Sequence, residues 1–221
     1  MIDIKKRRET AFKKPYLGKK IIFCEGKTEY NYFEHFKIKL DNKRNKYIQF
    51  DIEPIDIEGG GANSIFNKTI AFLENPNNFK YHHYDKIIVF DLDNPERQEL
   101  MTNVLIKINK SSYNFTQLYS YKTFEVWLLM HLIDVYAPHS KKQLKEKLRE
   151  GLGLTKYFKN SKGTIAKLVS DDENIKNAIK NAKKLENSYS EKNLNIISNY
   201  KEMNPFSNVY KLMEEILDNL E

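Results

Sequence analysis

Two unbroken apolar runs stand out in the chain. Lys20-Ile21-Ile22-Phe23-Cys24 and Lys86-Ile87-Ile88-Val89-Phe90 have the short, continuous character of strands covered on both faces. Gly26 breaks the first run. From Thr28 the apolar residues Tyr30, Phe33, Phe36 and Leu40 recur at helical spacing. Alternation around Ile48, Phe50, Ile52 and Ile55 predicts a strand over 47–57. Gly59-Gly60-Gly61 punctuates, and Ile65, Ile70 and Phe72 predict a helix closing near Asn75-Pro76. After the second run, Pro95 suits the first turn of a helix carrying Leu100, Val104, Leu105 and Ile108. Residues 113–120 read as a weaker strand.

This alternation of strand and helix is the rhythm of a parallel central sheet with helices on both faces. After residue 121 it stops. Phe124 to Val135 reads as an apolar helix, and Ser140 caps a charged one running through Arg149 to Gly151-Leu152-Gly153. Val209, Leu212, Met213, Ile216, Leu217 and Leu220 mark a last amphipathic helix, with Asn204 to Ser207 as its cap and Pro205 in its first turn. The expectation is an α/β fold: a basic flexible arm over 1–19, an α/β core over 20–121, and a mostly helical C-terminal elaboration over 122–221 packed on that core.

Composition changes this picture little. The 221 residues are 40% hydrophobic and 13% aromatic, enough for a good-sized folded domain. Lys and Arg total 37 against 30 acids, a formal charge of +7. That sign suits a polyanionic partner, but on charge alone the plainer reading is a soluble protein from a Lys-rich, Asn-rich, AT-biased genome. The single cysteine, Cys24, excludes an internal disulfide and a cysteine-built zinc site. There is no signal-peptide pattern and no apolar run of membrane-spanning length, so a cytoplasmic protein without a membrane partner is expected.

The chemistry concentrates where the strong strands end. One ends Cys24-Glu25-Gly26, with Glu29 a turn later; the other ends Phe90-Asp91-Leu92-Asp93. Open parallel sheets bind ligands outside the carboxyl ends of their strands. If the two strands are neighbours, Glu25, Asp91 and Asp93 converge there, and Gly26 lets the backbone turn. Three clustered carboxylates repel one another, and a divalent cation resolves the repulsion. Magnesium suits such hard oxygens and serves phosphoryl chemistry. Asp-x-Asp before a helix also serves as a plain cap. His82-His83 are adjacent and do not readily face one site. Gly59-Gly60-Gly61 lacks the Lys-Ser/Thr of a P-loop.

Phe23 to Glu29 followed by Val89 to Asp93 resembles the Toprim signature, a Glu on the first strand and a later Asp-x-Asp. With Phe124-Glu125-Val126-Trp127-Leu128-Leu129-Met130-His131 and Asn204-Pro205-Phe206-Ser207-Asn208-Val209, the chain resembles the RloB-like, AbiLii-like family of Toprim-domain proteins over residues 20 to 217. That resemblance implies a Toprim-like core and a magnesium-dependent nuclease, with manganese as the substitute ion. It implies cleavage of phosphodiester bonds in DNA or RNA, tRNA included. A separate ATPase is the implied partner, in bacterial anti-phage defence by abortive infection. Glu25, Asp91 and Asp93 are then the metal ligands, Glu29 an extra ligand or general base, and Glu125 a further acid of the site. Lys27, Lys122 and the Lys5-to-Arg8 arm are candidates to contact phosphate, although lysines at a strand top are often only solvated. Trp127 and His131 read as core residues. One departure is Tyr121-Lys122-Thr123, where family members often carry Asn-Pro. Two alternatives stand beside the nuclease: a non-catalytic Toprim module that binds nucleic acid or a partner protein, and a primase-type nucleotidyl transferase.

Overall fold

The computed structural model describes residues 18–43, 50–92, 98–157, 161–199 and 201–220. Strand β1 (Lys19–Cys24) leads into α1 (Lys27–Lys43), β2 (Asp51–Asp56) and α2 (Ala62–Glu74). A 3-10 segment (Pro76–His83) precedes β3 (Asp85–Asp91), α3 (Gln98–Asn109) and β4 (Thr116–Tyr121). Then come α4 (Glu125–Met130), α5 (Lys141–Gly151), α6 (Lys162–Leu168), α7 (Asp172–Ser190), α8 (Ile196–Asn199), β5 (Phe206–Ser207) and α9 (Tyr210–Leu220).

The described strands form one sheet in the order β2-β1-β3-β4-β5. The first four are mutually parallel and β5 is antiparallel to β4. β1 and β3 are central, which is why their apolar runs are unbroken: a strand with helices on both faces has no solvent side for polar residues. Alternate residues of β1 address opposite faces. Phe23 meets Phe72 of α2 edge-on at 5.5 Å, whereas Lys20 pairs with Glu215 of α9 at 2.8 Å.

Sheet order fixes where a ligand belongs. The chain steps from β1 to β2 on one side, then returns past β1 to β3 on the other. Right-handed crossovers therefore put α1 on one face and α2 and α3 on the opposite face. The packing agrees, since α2 lies against α3 while α1 lies against α6 and α9. The reversal between β1 and β3 opens a crevice at their carboxyl ends.

Several elements differ from the sequence reading. The second strand covers only Asp51–Asp56, with 44–49 outside the described residues. In α2 the buried side is Ile65, Phe66, Thr69 and Leu73, and Ile70 and Phe72 are only partly buried. Pro95 lies outside the described residues. The apolar helix expected over 124–135 ends at Met130, where the chain turns so that α5 and α7 can both pack on α4. Asn204 to Ser207 do not cap α9. Asn204-Pro205 is followed by β5, which pairs Ser207 with Ser120 and Phe206 with Tyr121, so Pro205 lies outside the helix. By contrast, Ser140 caps α5 as expected, in a reciprocal capping box with Gln143.

Candidate active site

β1 and β3 align Cys24 with Val89, which brings Glu25 and Asp91 to neighbouring strand ends. The backbone N–H of Glu25 continues the ladder to the Val89 carbonyl at 3.0 Å. Its carboxylate Oε2 accepts from the Asp91 backbone N–H at 2.9 Å. This bond draws Glu25 across the crevice toward β3 and fixes its direction. Beyond it, Leu92 N–H reaches the Ser120 carbonyl at 2.9 Å, so β4 supports the Asp91 turn from the far side.

Gly26 makes room for the next acid. A Cβ there would stand 3.2 Å from Oε2 of Glu29, so Glu29 folds back against the Glu25–Gly26 turn. Glu29 is 3% exposed although it lies in the first turn of α1. A helix N-terminus favours a carboxylate, which partly offsets that burial. Glu125 holds the equivalent first-turn place in α4 and is equally buried. The two helices pack through Tyr32, whose ring meets Phe124 at 5.5 Å and Trp127 at 6.3 Å.

The loop after β2 also closes on this end of the sheet. Glu58, Gly59, Gly60 and Gly61 take successive positive φ angles of 59°, 70°, 110° and 79°, a path open mainly to glycine. The Gly59 N–H bonds the Glu25 carbonyl at 2.6 Å, and Lys68 of α2 donates to the Ile57 carbonyl at 3.0 Å. The triplet read as punctuation in the sequence is therefore part of the crevice wall. Its signal was the run of three glycines directly before a helix.

The basic candidates stand at the same end. The Lys27 ammonium lies 3.3 Å from Asp56 Oδ2 and 4.7 Å from the Tyr30 ring centroid. Lys122 is half-buried in the turn between β4 and α4. Asp93 and the Lys5-to-Arg8 arm lie outside the described residues. Trp127 and His131 are core residues, 0% and 1% exposed. Burial raises the Cys24 thiol well above its ordinary pKa, with Glu29 and Asp56 adding to the effect, so Cys24 stays a neutral packing residue.

Among the described residues, no three His, Cys, Asp or Glu side chains gather closely enough to hold a metal ion. Magnesium asks for less: one or two carboxylates, with water and substrate phosphate completing its shell. Glu25 and Asp91 supply hard oxygen of that kind at adjacent strand ends, and their chemistry fits magnesium. No helix among the described residues is long and apolar enough to cross a membrane. A model of the family described as RloB-like protein matches residues 20–216. No curated protein and no solved structure gives a match.

Proposed function

The chain belongs to the RloB-like protein family, and from that premise we propose that it is a magnesium-dependent nuclease of Toprim type. Its substrate is DNA or RNA, tRNA included, and its setting is anti-phage defence beside a separate ATPase. The observation that carries the reading is the Glu25 carboxylate bonded to the Asp91 amide at the point where the sheet order reverses. A cation would be held there by Glu25 and Asp91, together with Asp93. When bound it would polarise the phosphodiester and stabilise the leaving oxygen.

The chain's own residues do the rest. The Asp91 amide holds Glu25 in place, so one ligand is directed before any ion arrives. Glu29, folded against the Glu25–Gly26 turn, would take the proton from an attacking water as one P–O ester bond breaks, with Glu125 in the first turn of α4 as the second candidate. Lys27 and Lys122 flank the crevice and attract the phosphate backbone. The paired acids favour the nuclease over an inert binding module.

Asp91→Asn tests the proposal. It keeps the shape and the backbone bond from Asp91 to Glu25 but removes one charge. Changing groups behind metal ligands already costs about 10–100-fold in affinity or activity, and loss of a ligand charge should cost at least that. Magnesium-dependent cleavage of a DNA, RNA and tRNA panel, with thermal melting of the same preparation, reads the effect. Wild-type cleavage by Asp91→Asn would overturn the mechanism.

A further inference from the structure

Lys68 stands on α2, just beyond the glycine loop that leads into that helix. An ammonium has three N–H donors and no acceptor. Three carbonyls of consecutive residues lie within its reach: Ile57 at 3.0 Å, Glu58 at 3.4 Å and Gly59 at 3.4 Å. An extended chain would not present three successive carbonyls to one point. The positive φ angles at Glu58 and Gly59 turn them together. Converging oxygens repel one another, and a cation among them offsets the repulsion. Ser64, one turn earlier on the same face of α2, adds a hydroxyl donor to the Gly59 carbonyl at 3.5 Å.

The glycines of the loop cannot hold it in place themselves. Gly59, Gly60 and Gly61 have no side chain to pack, and glycine loses the most freedom on being ordered. Yet this loop is what fixes the end of β1 from the β2 side. The Ile57 N–H donates to the Cys24 carbonyl at 3.0 Å, and the Gly59 N–H to the Glu25 carbonyl at 2.6 Å. The same two residues thus give their amides to the end of β1 and their carbonyls to Lys68. Lys68 is itself exposed, so it contributes little burial to the core. What it orders is the wall against which the Glu25 peptide rests.

We propose that Lys68 is a positioning residue for this site: its ammonium gathers the Ile57, Glu58 and Gly59 carbonyls and thereby holds the loop that fixes Glu25 from the side opposite Asp91. The inference rests on the metal-dependent nuclease reading above, in which Glu25 is a ligand. Glu25 is then held from both sides, its carboxylate by the Asp91 amide and its peptide by the Gly59 amide. Without the ammonium the three carbonyls separate and the Gly59 amide releases Glu25 more often. The cation is then held less tightly. α2 contributes in this way to a site whose acids lie on other elements.

The experiment uses the full chain as wild type, Lys68→Met and Lys68→Arg. Met keeps the unbranched stem, and Arg keeps the charge and the donors. Manganese affinity is measured by calorimetry without nucleic acid, beside melting temperature, amide hydrogen exchange at Ile57 and Gly59, and the magnesium concentration giving half-maximal cleavage. Lys68→Met should melt within about 1–2 °C of wild type, as surface substitutions do. Its Ile57 and Gly59 amides should exchange faster, because the loop opens more often. Its manganese affinity should fall about tenfold, the lower end of the cost of disturbing groups behind a ligand. Its magnesium requirement should rise in step, with a smaller change in the saturating rate. Lys68→Arg should lie between the two. In the wild type, manganese should slow exchange at the same two amides, because metal binding and loop order strengthen each other by one common factor. A role confined to folding would lower the melting temperature and show no such coupling. Wild-type manganese affinity or wild-type exchange in Lys68→Met overturns the proposal and leaves the nuclease reading intact. So does a Lys68→Arg protein no better than Lys68→Met. Failure of the wild type to bind manganese or to cleave overturns the nuclease reading, and the proposal with it.

Discussion

Acidification should destabilise the fold through one buried imidazole. His131 is 1% exposed at the end of α4. Its Nδ1 lies 3.0 Å from the Trp127 carbonyl oxygen, which can only accept, so Nδ1 carries the proton. Nε2 is then the acceptor for the Tyr32 hydroxyl at 3.1 Å. The neutral ring is fully satisfied, and a second proton would turn that acceptor into a donor. Burial pushes the pKa from 6.5 down to about 4. Between those values the unfolded chain binds a proton that the folded chain refuses, so the stability is whole above 6.5 and falls as the pH drops. Over that interval the loss amounts to about 3 kcal/mol, or roughly 6–12 °C in melting temperature for a chain of this size. Urea and thermal melts of wild type and His131→Gln, from about pH 7.5 down to about pH 4.5, read it. The variant is less stable at neutral pH but should have a flatter dependence, because the other titrating groups are common to both proteins. Parallel curves would refute the assignment.

Two further perturbations address the sheet edge and the substrate. The Asn208 side chain accepts from the Tyr119 N–H at 2.7 Å and donates to the Gln117 carbonyl at 3.0 Å, so Asn208→Ala strands two backbone groups of β4 and should cost roughly 2–4 kcal/mol in urea denaturation; a loss below about 0.5 kcal/mol would show that the bonds are replaced by water. Nucleic-acid affinity should fall by orders of magnitude between about 50 and 200 mM salt, with Lys27→Gln and Lys122→Gln each flattening the slope; binding indifferent to salt would point to a protein partner.

What the sequence made legible follows physical lines. β1 and β3 were plain because a strand covered on both faces must be continuously apolar, and Glu25 and Asp91 were plain because each directly follows such a run. That they adjoin at a reversal of strand order was not legible, since order depends on which crossover passes which strand. β5 left no pattern at all. Two residues have no period, and Phe206 and Ser207 become a strand only because β4 offers its edge. The α4 boundary was misread for a related reason: Leu132 packs beside Gly151 of α5 and Val135 is buried after the helix has ended, so hydrophobicity outlasts helicity.

The antiparallel strand at the sheet's edge also governs how the protein is made. β4 is complete at Tyr121, yet its partner β5 begins at Phe206. On a ribosome adding roughly 5–20 residues per second, the β4 edge waits on the order of ten seconds for its mate. During that time its backbone donors and acceptors are open to any other chain that offers a strand. A nascent chain halted before Phe206 would carry the acids of the crevice but keep a sticky flank. The half that carries those acids is therefore a poor candidate for expression alone, and soluble yield should improve sharply only once β5 and the helix after it have emerged.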